Sequence, residues 1–181
     1  MGTLLDLKLL RAFQHLDMNG NGYLDHDDIV ALVARFIAGF RVSPHSDEGH
    51  AVAAGFEDFW QSLISLVDTD GDGRISPDEW NDGMVDAFVE AADGFDRHLR
   101  PAVSAVMHLA DTDGDGRIRF AEFTMLQKAF GSRADGVQAA FRHLDADGDG
   151  SISVPELIEA AREYYTGRGG TAGDWLFGPL V

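Results

Sequence analysis

DTDGDGRISPDE, residues 68–79, sets Asp68, Asp70, Asp72 and Glu79 at positions 1, 3, 5 and 12 of a twelve-residue frame. The frame recurs as DTDGDGRIRFAE at 111–122 and DADGDGSISVPE at 145–156, and more loosely as DMNGNGYLDHDD at 17–28. A hard divalent cation takes oxygens at about 2.3–2.6 Å, and such a frame can supply them from positions 1, 3, 5, 7, 9 and 12. Glycine at position 6 allows the sharp turn that brings the carbonyl of position 7 around.

In the second loop the oxygens come from Asp68, Asp70, Asp72, the Arg74 carbonyl, Ser76 and a bidentate Glu79. The fourth matches it with Asp145, Asp147, Asp149, the Ser151 carbonyl, Ser153 and Glu156. The third has Asp111, Asp113, Asp115, the Arg117 carbonyl and Glu122, but Arg119 holds position 9. A guanidinium only donates, so water must fill that place or the site loses a ligand. The first loop departs further, with Asp17, neutral Asn19 and Asn21, the Tyr23 carbonyl, Asp25 at position 9 and Asp28 in place of the closing Glu. Asp is one methylene shorter, which favours six-coordination and relatively more magnesium. Loops two and four should therefore be the firmest calcium sites, then loop three, then loop one.

An Asp/Gly-rich stretch is often a solvated turn. Position 8 argues against that here, because Leu24, Ile75, Ile118 and Ile152 are apolar in every window. Paired loops would pack these residues across a short antiparallel contact. Helical apolar spacing surrounds each loop. It runs through Phe13 and Leu16, Ile64 and Val67, Met107 and Ala110, Phe141 and Leu144 upstream. Downstream it runs through Ile29–Leu32–Val33–Phe36, Trp80–Met84–Phe88, Phe123–Leu126–Phe130 and Leu157–Ile158–Ala161. Pro77 and Pro155 stand where the exiting helices begin and a missing N–H costs little. The expected architecture is all-α, about eight helices, with short β contacts between paired loops. His15, His108 and His143 precede loops on the entering helices and are expected to pack rather than to bind metal.

The formal charge is −17, and of 31 acidic residues 15 fall at loop ligand positions. Four divalent ions would bring −17 to −9. Acidity is thus chiefly a metal store, and clustered like charge should loosen the fold until ions bind. Each site would then contribute about 2.7 kcal/mol at a hundredfold excess of ion over its dissociation constant. Nucleic acid needs clustered Lys/Arg and is not an expected partner. There is no cysteine, hence no disulfide framework. MGTLLDLKLL lacks a signal-peptide run, Asp6 stands where myristoylation wants Ser or Thr, and no 18-residue apolar stretch exists. A cytoplasmic, membrane-free monomer is expected. The nucleophile elbow, phosphate-binding loop and zinc motifs are missing, so no catalysis is expected.

First aspartates are separated by 51, 43 and 34 residues. The last gap suits directly joined helix–loop–helix units; the first leaves room for extra helical turns and a polar connector from Ser43 to Gly49. With its loops, this spacing resembles the EF-hand superfamily, and within it the sarcoplasmic calcium-binding proteins and calerythrin-like bacterial EF-hand proteins. The resemblance implies four hands packed pairwise into one compact globule: 1–92 holding hands 1 and 2, 93–166 holding hands 3 and 4. It also implies a calcium buffer; the loops themselves lead to an expectation of three or four Ca2+, with Mg2+ competing at the first loop. In that family one hand, commonly the second, is often defective; here the second matches the pattern in full.

Residues 167–181 form a Gly-rich linker and an apolar end containing Trp175, Leu176, Phe177, Pro179, Leu180 and Val181. This tail should fold back into an apolar cleft between the halves. A sensor would display a Met-rich groove to a protein target, whereas five scattered Met against 12 Phe and three Trp suggest a fixed core. A small-ligand carrier with Trp60 and Trp80 lining a cavity is the remaining class.

Overall fold

The computed structural model of the protein describes residues 3–167 and 169–179. Leu180 and Val181, expected in the apolar tail, lie outside the described residues. Five of the helices begin where the sequence supplies a side-chain cap. Thr3 and Asp6 form a capping box at α1 (Leu4–Leu16), and Asp25 with Asp28 opens α2 (His26–Phe40). Ser46 caps α3 (Asp47–Leu66) and Ser76 caps α4 (Pro77–Met84). The connector expected to reach Gly49 therefore stops at Ser46. Residues Asp47–Gly49 are the first turn of α3, because the Ser46 hydroxyl accepts the Gly49 N–H at 3.1 Å. α3 itself, at 20 residues, takes up most of the long first spacing.

The Trp80–Met84–Phe88 stripe is buried as expected, but α4 ends at Met84 and the chain continues as a wider π-helical turn over Val85–Glu90. A second π turn, Phe95–Leu99, leads into α5 (Arg100–Ala110). Then follow β1 (Arg117–Arg119), α6 (Phe120–Phe130), α7 (Ala134–Leu144), β2 (Ser151–Ser153) and α8 (Val154–Thr166). Among the described residues this makes eight α-helices and one two-stranded antiparallel sheet.

Loops pair as the apolar position 8 implied. Ile118 lies opposite Ile152 in the β1–β2 register. In the first pair the contact shrinks to one antiparallel bridge, with Leu24 and Ile75 exchanging both backbone hydrogen bonds at 2.9 Å. All four side chains are buried. The two loop pairs then share one apolar core. α3 lies along α5, where a Cβ on Gly55 would come within 2.9 Å of the Ala102 Cα. Glycine is what lets the two entering helices touch backbone to backbone there. α2 packs on α6, and α1 on both α4 and α8.

The Gly-rich segment expected as a flexible linker is tied down where it is described. Gly173 is buried and donates its N–H to the Glu163 carboxylate at 3.1 Å. Beyond it, a 3-10 turn (Ala172–Trp175) and the apolar residues after it return to the body of the protein. The seat lies between α1 of the first pair and α6, α7 and α8 of the second. Leu176 and Phe177 are buried. The Phe177 ring meets His15, Phe130 and Tyr164 edge-on, at 4.8, 4.9 and 5.0 Å between centroids. Trp175 stays partly exposed, stacked on His143 at 3.8 Å. Arg11 donates to the carbonyls of Phe177, Gly178 and Pro179, the last at 2.7 Å. Gln127 donates to the Leu176 carbonyl at 2.6 Å. Lys8, fully buried, donates to the Gly167 carbonyl at 3.0 Å and pairs with Asp174 at 2.5 Å.

A buried cation loses its hydration, so removing its counter-charge is costly. Asp174→Ala should lower stability in chelator by about 3 kcal/mol, read as a shift of the urea midpoint; an unchanged midpoint would mean that the tail contributes nothing to the fold.

His15 is pressed against Phe177, and burial pushes its imidazole pKa down to about 4, with Arg11 and then Arg35 pushing the same way. In the unfolded chain the imidazole titrates near its ordinary value of 6.5. The stabilisation from neutral His15 is therefore complete above that value and is lost as pH falls through about 4. A proton NMR titration of the His15 ring in the folded protein should give a midpoint near 4, and one above 6 would contradict the burial.

Candidate metal centres

Each loop holds its own side-chain oxygens in place with backbone N–H groups, and the pattern repeats. The position 1 carboxylate accepts from the glycine at position 6: Gly22 to Asp17 at 3.0 Å, Gly73 to Asp68 at 3.0 Å, Gly116 to Asp111 at 2.8 Å and Gly150 to Asp145 at 3.0 Å. These glycines have φ between 81° and 87°, a left-handed conformation that side chains strain. Glycine also recurs at position 4, where Gly20, Gly71, Gly114 and Gly148 have φ of 70–74°.

Position 3 accepts from the N–H of position 5, and position 5 from that of position 7. In the second loop these bonds are Asp72 N–H to Asp70 at 3.0 Å and Arg74 N–H to Asp72 at 2.8 Å. In the fourth they are Asp149 to Asp147 at 3.1 Å and Ser151 to Asp149 at 2.9 Å. In the third they are Asp115 to Asp113 at 3.3 Å and Arg117 to Asp115 at 2.9 Å. The first loop builds the same scaffold from amide oxygens, with Asn21 N–H on Asn19 at 2.9 Å and Tyr23 N–H on Asn21 at 2.8 Å.

The closing acid arches back over the loop. Glu79 accepts from the Ser76 N–H at 2.9 Å with one oxygen and from the Thr69 N–H at 2.9 Å with the other. These bonds, that of Ser76 foremost, hold its carboxyl down to about 2, so it is ionised at neutral pH. Glu122 likewise accepts from the Arg119 N–H and the Thr112 N–H, one with each oxygen, both at 2.9 Å. Asp28, despite its shorter arm, still spans its loop, reaching Asp25 N–H at 3.0 Å and the N–H of position 3, Asn19, at 3.1 Å. It is buried, and that burial pushes its carboxyl up. Glu156 is exposed and accepts from Ser153 N–H and hydroxyl, at 3.0 and 2.8 Å.

Three groups of carboxylates offer oxygens within 4.8 Å of one another: Asp68, Asp70 and Asp72; Asp111, Asp113 and Glu122; Asp145, Asp147 and Asp149. An all-oxygen, acid-rich donor set on a flexible loop suits calcium, with magnesium as the competitor. The third loop, ranked behind two others from sequence, already has its closing glutamate inside the cluster.

The sequence reading missed two kinds of residue. Thr69 and Thr112, at position 2, give hydroxyl bonds to the closing Glu79 and Glu122 at 3.0 and 2.7 Å. Their recurrence at one place in two loops was the available signal. Ser76 and Ser153, at position 9, also cap a helix and bond the closing glutamate, a second role that the ligand reading leaves out. The Ser-x-x-Glu spacing of a capping box was legible. His15, His108 and His143 pack outside the loops: His15 meets Phe177, His108 bonds the Ser104 carbonyl and His143 packs on Trp175.

The EF-hand domain pair profile matches residues 6–85 and 57–128, and an EF hand profile matches 137–160. The chain belongs to the EF-hand family. Calerythrin of Saccharopolyspora erythraea is 24% identical over 164 residues, covering 89% of this chain and 92% of that protein. A Streptomyces coelicolor calcium-binding protein, described in terms of prokaryotic calcium-mediated regulation, is 33% identical. The match covers 92% of this chain and 99% of that one, with a TM-score of 0.78. The amphioxus sarcoplasmic calcium-binding protein shares the fold at 20% identity, TM-score 0.78, covering 99% and 98% of the two chains. This is a calcium-binding EF-hand protein related to calerythrin and the sarcoplasmic calcium-binding proteins.

Proposed function

We propose that this EF-hand protein is a cytoplasmic, monomeric calcium buffer that takes up three or four ions through two loop pairs, residues 1–92 and 93–166. The observation that carries the reading is the convergence of three carboxylates in each of loops two, three and four. In this reading Asp68, Asp70, Asp72, the Arg74 carbonyl and Glu79 hold one calcium ion. Asp111, Asp113, Asp115, the Arg117 carbonyl and Glu122 hold a second; Asp145, Asp147, Asp149, the Ser151 carbonyl and Glu156 hold a third. The first loop, with Asp17, Asn19, Asn21, the Tyr23 carbonyl and Asp28, binds calcium weakly and accepts magnesium, because it offers fewer charges and a shorter closing arm.

A filled apolar interior supports buffering over signalling. Met84 and Met107 are buried in the core, and Leu176 and Phe177 of the tail occupy the interior seat that a target segment would need. The apolar cavity beside them leaves about 30 Å³ of free space, room for about one water, and the larger cleft past Phe177, about 560 Å³, is lined largely by polar groups such as Arg11, Gln14, Arg133 and Asp135. Trp60 and Trp80 are core residues, and the Trp80 N–H donates to the Leu9 carbonyl at 2.9 Å. That packing disfavours a carried organic ligand. The clustered carboxylates are those of the loops, in keeping with a binding protein and not an enzyme, and no described helix is long and apolar enough to cross a membrane. A sensor reading draws support from the regulatory description of the Streptomyces relative.

Calorimetric titration with calcium, with and without millimolar magnesium, should give three or four equivalents. Glu79→Gln or Glu156→Gln should each remove one site, and Asp28→Glu should favour calcium over magnesium at the first. Uptake of fewer than two ions by the wild type would end the calcium reading.

Buffer and sensor part in a second experiment. An apolar dye should bind almost equally with chelator and with saturating calcium; strong calcium-induced dye binding would establish a sensor instead.

A further inference from the structure

β1 is three residues long, Arg117–Ile118–Arg119. Side chains alternate across a strand, so with Ile118 buried against Ile152, both arginines stand on the opposite face, over the loops. Arg119 reaches back into its own loop. It donates to Asp113 Oδ2 at 2.9 Å and to Asp115 Oδ2 at 2.5 Å, positions 3 and 5. Arg117 crosses to the neighbouring loop, donating to the Ser151 hydroxyl at 2.6 Å and pairing with Asp149 Oδ2, position 5 there.

The oxygens involved are the ones an ion needs. Asp115 Oδ1 already accepts the Arg117 N–H at 2.9 Å, and Asp149 Oδ1 accepts the N–H and hydroxyl of Ser151 at 2.9 and 2.7 Å. In each case the oxygen not committed to the loop's own frame is the one that a guanidinium holds. The second loop differs: Asp72 Oδ1 takes the Arg74 N–H, and no ion pair to Asp72 occurs among the described residues.

We propose that Arg117 and Arg119 are internal counter-cations of loops three and four, which calcium displaces from Asp113, Asp115 and Asp149, so that binding there is a cation exchange. The proposal rests on the calcium reading above. It makes the two arginines affinity-setting residues that are not ligands through their side chains. It also gives the pair a coupling element, since Arg117 lends its carbonyl to loop three and its guanidinium to loop four. An ion entering loop four frees the Arg117 side chain from Asp149 and changes the strand residue that serves loop three.

The test compares Arg119→Gln, Arg119→Lys, Arg117→Gln and, as a charge-matched control, Arg133→Gln, whose guanidinium pairs with Asp135 at 3.2 Å, outside the loops. Calcium titrations are followed by NMR at the Gly116 and Gly150 amides, one reporter for each loop. Exposed ion pairs are modest, so Arg119→Gln should tighten loop three by roughly three- to tenfold. Arg117→Gln should tighten loop four and reduce the coupling between the loops, and Arg119→Lys should fall between wild type and Arg119→Gln. Arg133→Gln should match wild type, and high monovalent salt should shrink the differences. In chelator the tightened variants should melt at lower temperature, because the carboxylates lose their counter-charge. If the Gly116 and Gly150 signals of the wild type ignore calcium, the functional reading fails. If they respond but Arg119→Gln and Arg117→Gln bind no tighter than Arg133→Gln, the exchange proposal alone is wrong.

Discussion

Mutual repulsion among carboxylates gathered within 4.8 Å is the constraint around which this molecule is arranged. Two unit charges at about 4 Å repel by about 1 kcal/mol in bulk water and by more at a protein surface. Three such groups per loop stay together only because the chain answers them donor by donor. Backbone N–H groups at positions 5, 6, 7 and 9 point inward, and two left-handed glycines per loop bend the backbone so that they can. In loops three and four two guanidinium groups add charge to that answer.

The loops do not stand alone. Leu24 with Ile75, and Ile118 with Ile152, join them back to back and carry each pair into the common core. Every closing acid sits in the first turn of an exiting helix, so what holds Asp28, Glu79, Glu122 or Glu156 also sets where α2, α4, α6 or α8 begins. Helix and ion site are therefore one mechanical unit. The tail extends this logic: α1 leads directly into loop one, α8 leads out of loop four, and Lys8, Arg11 and Tyr164 tie both helices to the same terminal segment.

Much of this was legible because its physics is local. A twelve-residue frame with fixed ligand spacing encodes its own turn, and apolar residues at helical intervals encode the faces that meet the core. Phe13, Trp80, Phe123 and Leu157 are buried as their spacing required. The sequence reading fell short where local signals overlap. Ser76 and Ser153 carry oxygens that suit an ion and a helix cap alike, and their capping bonds are the part it left out. The segment after Met84 keeps its apolar period while its hydrogen bonding widens to a π turn, a change that side-chain spacing does not register.

The sequence by itself determined four oxygen-rich loops, their order, the helices that flank them and the apolar residue that lets them pair, since each depends on neighbours within a dozen positions. Only the tertiary structure decided which side chains seat the tail, that Lys8 is buried against Asp174, that Gly55 is the contact between α3 and α5, and that Arg117 serves one loop while its side chain pairs in another. Those outcomes join residues between 32 and 168 positions apart. Which distant groups meet depends on how whole helices pack, and no local pattern of charge or hydrophobicity specifies that.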